Sequence, residues 1–381
     1  MFSFLSAPLR ALLSFMMMLS VAGISLFSFS ACEGDYRPKA IGGHSEILVV
    51  MDSLQHESEV AEALRNTLAA PIFTMPRPQP RFDLIFTDLR TTDDRELIER
   101  HKNVVIASDI DADTNVGTFL RALLGEEVKQ NVRDGESFSF TQRDVWSRDQ
   151  LVMMLAADND DNLAERISRN EQRLVDTIHE MELARWHRYV YRRAEQTELS
   201  EDILETHGWS FRVQHDYRVG VDTLNVLTLR RYLPDNDRWI WVWWQDDFTQ
   251  NDFDNISRDW VSTKRDSINQ EYMKGSTDEK YVKTDYDRPY EQRFMEINGM
   301  QTYESRGIWR MHNELMGGPF INYTMYDHEN ERLFMMEYGQ FSPRWDQRRF
   351  LYQFEAMART FVSNPDAIKE EEEDTPVAQA E

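Results

Sequence analysis

The sequence predicts an α+β protein in two halves: an N-terminal α/β-like half with a mixed, partly parallel sheet, then a C-terminal half of mainly antiparallel strands with flanking helices. Two patterns carry that expectation. Up to about residue 198, short β-branched runs alternate with helical periodicity, the grammar of parallel strands joined by crossover helices. Beyond it, strand runs follow one another through short, turn-rich connections, the grammar of hairpins. The 381 residues, 41% hydrophobic and 12% aromatic, suffice for roughly two cores of ordinary size and exclude a disordered chain.

Glu46-Ile-Leu-Val-Val-Met-Asp52 is an apolar run bounded by Gly42-Gly43 and Ser53, as expected of a strand buried on both faces. Val60, Leu64 and Leu68 recur at helical spacing, and Pro71, Pro76, Pro78 and Pro80 then interrupt regular structure. Residues 82–86, 103–108 and 151–156 read as further strands, 93–101 as a helix, and about 162–195 as one long charged helix. In the second half, 221–232 and 239–244 pair through Leu233-Pro-Asp-Asn-Asp237, and a helix follows over about 252–273. Strands 290–297 and 301–309 meet at Asn298-Gly299, 320–325 pairs with 332–338, and a helix over 346–361 closes the body. The expected organisation is therefore a leader (1–31), a tether (32–45), an α/β-like half (46–198), an antiparallel α+β half (199–364) and an acidic tail (365–381) with Glu370–Asp374 as a pure acid run.

The formal net charge is −24, with 34 Asp and 33 Glu against 35 Arg and only 8 Lys. That balance excludes a protein that tracks nucleic-acid phosphates. A carboxylate-rich, lysine-poor surface fits a salt-adapted, halophilic setting, because it holds hydration when salt screens other forces. The single cysteine excludes a disulfide-stapled scaffold and any thiolate metal cage.

The cysteine has another use. Arg10 is the only charge before residue 33, and 11–31 is an uncharged stretch ending in Phe29-Ser30-Ala31-Cys32. A basic start, an apolar run and small residues at its end make a secretory signal. The last four residues resemble a bacterial lipobox, with cleavage after Ala31 and lipid attachment at Cys32; Phe29 departs from the leucine-like residue usual there. The stretch is also long enough to cross a bilayer uncleaved. The serines near its end and the placement of the only cysteine favour cleavage. Glu33, in place of the aspartate that signals inner-membrane retention, points to the outer membrane. The expected product is a lipid-anchored envelope protein whose membrane contact is its N-terminal lipid.

Three predicted strands end in acids: Asp52, Asp109 (with Asp111 and Asp113) and Asp158 (with Asp160 and Asp161). Carboxyl ends of parallel strands converge on one edge, where carboxylates could hold a divalent cation or serve as turn caps. The run from Asp109 fails as a calcium loop, having Thr114 where glycine is needed and Leu120 in place of the closing glutamate. His179 and His187 lack the spacing of a zinc-protease helix. Trp239, Trp241 and Trp243 alternate along one strand, reading either as core or as a sugar-stacking row. Arg306 beside Trp309, with Gly317-Gly318-Pro319 nearby, reads either as an oxyanion-binding loop or as an Arg306–Glu304 pairing next to a tight turn. No Gly-x-Ser-x-Gly, phosphate loop or dinucleotide fingerprint occurs, and no motif calls for a cofactor.

Arg306-Gly-Ile-Trp309…Met316-Gly-Gly-Pro-Phe320, with Arg265-Asp-Ser267, Trp146…Gln150-Leu-Val152 and Glu355-Ala356, resembles an uncharacterised family of bacterial envelope lipoproteins, domain of unknown function 4837. The resemblance runs from about Glu46 to Phe361, with Gln79 and Lys102-Asn103 as departures. It implies placement and a fold, and draws attention to Arg306, Trp309, Gly317 and Gly318, without assigning an active site. Two functions follow as expectations: an envelope protein that binds a ligand, protein or glycan, or a hydrolase using carboxylates or a divalent metal.

Overall fold

The structure is a computed structural model that describes residues 36–367, Leu224 excepted. Ala31, Cys32 and the acid run 370–374 lie outside the described residues.

Five strands form the first sheet: β1 (Glu46–Val50), β2 (Asp83–Thr87), β3 (Asn103–Asp109), β4 (Ser139–Arg143) and β5 (Leu151–Ala157). Their order is β2-β1-β3-β5-β4, parallel except for β4, which runs antiparallel to β5. The helices of this half are α1 (Glu59–Leu68), α2 (Thr92–Arg100), α3 (Asn115–Leu123), α4 (Glu126–Arg133), α5 (Asp160–Arg169) and α6 (Glu171–Tyr191). Successive strand side chains face opposite ways, so Ile47 and Val49 pack toward α1, α5 and α6 while Leu48 and Val50 pack toward α2, α3 and α4. Side-chain caps set the helix starts: the hydroxyls of Ser58, Thr91 and Thr114 and the amide oxygen of Asn159 accept first-turn N–H groups.

The long helix expected over 162–195 is two helices. Asn170 takes φ −112° and ψ 20°, and its side-chain amide donates to the Arg166 carbonyl at 2.8 Å, ending α5 one residue before α6 begins. A short amide competes with the backbone for its hydrogen bonds, and periodicity cannot register that. The helices over 115–133 and the strand over 139–143 were not anticipated, although both helices are amphipathic.

The second sheet has eight strands: β6 (Arg218–Asp222), β7 (Val226–Leu233), β8 (Asn236–Gln245), β9 (Val282–Thr284), β10 (Glu291–Ile297), β11 (Met300–Met311), β12 (Gly317–Asp327) and β13 (Arg332–Phe341). It is antiparallel throughout, in the order β9-β11-β12-β13-β8-β7-β6, and β10 shares with β9 one edge of β11. Its helices are α7 (Thr197–His207), α8 (Gln250–Asp254), α9 (Arg258–Tyr272) and α10 (Arg348–Ala358). The single helix expected over 252–273 is split because the Ser257 hydroxyl accepts from the Trp260 N–H and starts α9 afresh. The strand expected over 221–232 is likewise a hairpin of β6 and β7.

One face of this sheet packs Leu229, Ile240, Tyr323 and Tyr338 with Phe354 of α10; the other packs Trp239, Trp241 and Trp243 with Val261 and Ile268 of α9. The tryptophan row is therefore core, no more than 5% exposed at any of the three, and no sugar-stacking platform. The two sheets are separate. Helix α6 bridges them by lying along α10, where His179 Nε2 meets Glu355 Oε2 at 2.7 Å.

Candidate functional site: an arginine-lined cleft between the sheets

Where the end of α6, the β7–β8 hairpin and the start of α10 come together, they enclose a cleft of about 480 Å³. Six arginines line it: Arg192 and Arg193 just past α6, Arg231 on β7, Arg238 on β8, and Arg348 and Arg349 opening α10. Asp346 is the one acidic residue among the lining side chains.

Strand alternation selects which charges enter. On β8, Asp237 points away and accepts from Arg230 Nε at 2.9 Å, while its neighbour Arg238 points inward. On β7 the same alternation turns Arg230 out and Arg231 in. Arg238 is 2% exposed, with its guanidinium 4.4 Å from the Phe350 ring centre. Its Nη1 donates to Gln353 Oε1 at 3.4 Å, and its buried Nε has no acceptor. Arg349 lies over the same ring at 4.5 Å, also with its Nε buried and unpartnered. Burial raises the phenols of Tyr217 and Tyr338, both close to Arg238, so neither supplies it a negative charge at neutral pH.

The six arginines divide by partner. Arg348 is neutralised by Asp83 at 2.5 Å, and Arg231 reaches Asp216 at 3.4 Å. Among the described residues, no carboxylate lies within ion-pair distance of Arg192, Arg193, Arg238 or Arg349. The opposite wall carries His44, stacked on Trp186 with ring centres 4.0 Å apart and with its Nδ1 3.6 Å from Glu182. Glu182 is fully buried and accepts from Asn103 Nδ2 at 2.8 Å, from the Ser45 N–H at 2.9 Å and from Arg185, tying α6 to the first sheet.

The residues singled out in the sequence fall elsewhere. Arg306 and Trp309 stand on opposite faces of β11: Arg306 pairs with Glu304 at 2.9 Å and Glu355 at 2.9 Å, while Trp309 is buried against Trp239 and donates to the Gln340 carbonyl. They form no common site, because three residues along a strand is an odd step. Gly317 and Gly318 belong to β12, not to an irregular loop. Each allows close backbone approach, since a Cβ on Gly318 would lie 2.0 Å from the Gln340 oxygen and one on Gly317 2.7 Å from that of Trp309.

Arg306 does border a smaller cavity of about 220 Å³ between α6 and the β10–β11 edge. Its cations are compensated: Arg293 and Arg306 flank Glu304, and Arg81 faces Glu171 at 3.9 Å. Burial would raise the Glu304 carboxyl, yet the two guanidinium groups outweigh it and hold that carboxyl well below the usual range.

Asp52, Asp109 and Asp158 do come to one edge of the first sheet, at the carboxyl ends of β1, β3 and β5. Each is spent locally. Asp52 caps a turn by accepting from the Leu54 N–H, Asp109 accepts from the Asp111 N–H, and Asp158 accepts from the Asn162 amide. Asp111 is held by Arg133 at 2.7 Å, and Asp160 accepts from Gln55 at 2.6 Å. Among the described residues no group of three or more metal-ligating side chains is placed to hold an ion.

The cleft arginines were missed, although the sequence carries a signal for them. It contains three Arg-Arg doublets, at 192–193, 230–231 and 348–349, and all three contribute to the cleft.

With this geometry in view, two family matches divide the chain. Residues 196–360 match the domain of unknown function DUF4837, and residues 40–191 match a second domain of unknown function, DUF8532. The motifs at Ile47–Asp52 and Trp146–Val152 thus fall under the second match rather than the first. No curated protein matches the chain. The cleft lies where the matched segments meet, taking Trp186 and Tyr189 from one and Arg231, Arg238 and Arg349 from the other.

Proposed function

We propose that this is a lipid-anchored cell-envelope protein, at the outer membrane, whose body holds a ligand in the cleft between the two sheets. The anchoring is supported by the basic start at Arg10, the uncharged stretch 11–31 behind it and the sole cysteine at the end of a lipobox-like sequence. Ligand binding is supported by one observation above others: the cleft wall contains buried donors with unused bonding capacity, namely the Nε atoms of Arg231, Arg238 and Arg349. Burying such groups unpaired costs stability, and a bound molecule recovers that cost. The acid-ended strands give the hydrolase reading no comparable support, since their carboxylates are committed to caps and turns.

Native mass spectrometry of the full chain, extracted in mild detergent from its own cells, tests both parts. The protein is expected with a covalent acyl mass that Cys32→Ala abolishes and a non-covalent small-molecule adduct that survives gentle desolvation. An unacylated chain retaining its N-terminal methionine overturns the anchoring. A bare polypeptide mass at every activation energy counts against an occupied cleft.

A further inference from the structure

We infer that the cleft selects a small polyanion, a molecule bearing at least two phosphate or carboxylate groups; the inference rests on the reading of the cleft as a ligand site.

The first argument is charge placement. Acids outnumber Arg and Lys by 67 to 43 in the whole chain, yet the cleft is lined by six arginines and one aspartate. A concave, low-dielectric wall of one sign focuses field and concentrates counter-ions, and here the sign opposes that of the molecule. The second argument is pairing. In the neighbouring cavity each arginine faces a carboxylate, and Arg306, the most buried of them, faces two, so the fold does neutralise an enclosed guanidinium where it only needs to hold together. Four cleft arginines lack that neutralisation, and Arg238 is almost fully buried. An uncompensated buried cation is costly, and an anionic ligand is the chemistry that offsets it.

The third argument is geometry. A guanidinium presents a planar fork that matches the paired oxygens of phosphate and carboxylate. The uncompensated cations come from two separate regions, Arg238 and Arg349 around Phe350, and Arg192 and Arg193 past α6. One oxyanion at each region accounts for all four. The cavity volume suits a small molecule, and Trp186, Tyr189 and Phe350 supply apolar surface between the charges.

The test is calorimetric titration of the full chain carrying Cys32→Ala, at low ionic strength, with pyrophosphate, citrate and the neutral disaccharide trehalose as probes. Saturable binding of pyrophosphate or citrate is expected, with trehalose inert. Arg192→Ser combined with Arg193→Ser should weaken it about tenfold or more, as should Arg349→Gln. The first pair is exposed and leaves the fold intact, so a misfolded Arg349→Gln does not end the test. Arg344→Ser, which removes an exposed arginine outside the lining, should leave affinity unchanged. Failure of both anions to bind, or equal weakening by Arg344→Ser, overturns the inference. Trehalose binding in place of the anions removes the polyanion while leaving a ligand cleft; silence from all three probes together with a bare mass in native spectrometry removes both. Co-flotation with phosphatidylcholine vesicles, with and without phosphatidylglycerol, separates the two sources of such an anion. Flotation that needs the anionic lipid and is lost in Arg192→Ser/Arg193→Ser identifies a lipid headgroup, and pyrophosphate binding without flotation identifies a soluble ligand.

Discussion

Glu182 shows what a single buried carboxylate does here. Burial pushes its acid up, but His44, Arg185, Asn103 and the Ser45 N–H outweigh burial and hold it at about 2, against 4.5 for the free group. Because the folded value lies below the unfolded one, the stabilisation is complete above pH 4.5 and is lost as pH falls through about 2. Glu182→Gln removes the fully buried carboxylate that pairs with Arg185, itself 3% exposed, and leaves that guanidinium only the more distant Asp149, 3.5 Å away. The expected cost is about 3 kcal/mol at neutral pH. It should shrink toward the acid limb, where the wild type has lost the same charge. Urea unfolding at neutral and acid pH measures both values, and equal stability of variant and wild type at neutral pH would show that Glu182 holds nothing. The stake reaches the cleft, since Glu182 accepts from the N–H of Ser45, which lines the cleft beside His44.

At the scale of elements, strand packing in the second sheet depends on glycines where bulky partners cross. Gly339 makes room for Trp239, whose ring carbons would sit 2.5 Å from an added Cβ. Gly318 is tighter, because the obstacle is the Gln340 backbone oxygen that accepts from Trp309 Nε1 at 3.1 Å. Gly318→Ala should therefore part β12 from β13, cost about 2 kcal/mol and shift tryptophan emission. Gly125→Ala, with nothing within 4 Å of the new atom, should be silent in the same assay. A silent Gly318→Ala would mean that the two strands separate without penalty. These contacts also explain how far the sequence could be read. The apolar runs of β1, β3 and β5 and the hairpin turn at Asn298-Gly299 were legible because each is a local pattern. The breaks at Asn170 and Ser257 were not, because one side-chain hydrogen bond decides them inside otherwise helical periodicity. Arg306 was a candidate binding residue, and Arg265 and Glu355 were among those carrying the resemblance; all three have structural partners, Arg265 pairing with Glu337 at 2.6 Å, both fully buried, and Glu355 joining His179 to Arg306. The cleft stayed hidden for the opposite reason. Its arginines look like ordinary surface charges until the fold gathers three distant doublets around one cavity.

The whole molecule carries two electrostatic problems of opposite sign, and salt should separate them. With a net charge of −24, repulsion among carboxylates works against the compact state. Raising ionic strength from about 0.1 M to about 1 M shortens the screening length from roughly 10 Å to roughly 3 Å, which weakens that repulsion. Close pairs such as Arg265–Glu337 and Arg185–Glu182 are buried and keep most of their strength, so the relieved repulsion should exceed the lost attraction. The midpoint of thermal unfolding should rise by about 3 °C or more over that range, equivalent to about 2 kcal/mol for a chain of 381 residues. Pyrophosphate affinity should fall across the same series, because the attraction of the cleft arginines for an anion is screened as well. A midpoint that stays flat or drops with potassium chloride would show that the acids are already neutralised by local pairing, and would remove the salt-adapted reading of the surface. Opposite slopes for stability and for anion binding would place the repulsion on the outer surface and the attraction in the cleft, which is the division of charge the structure displays.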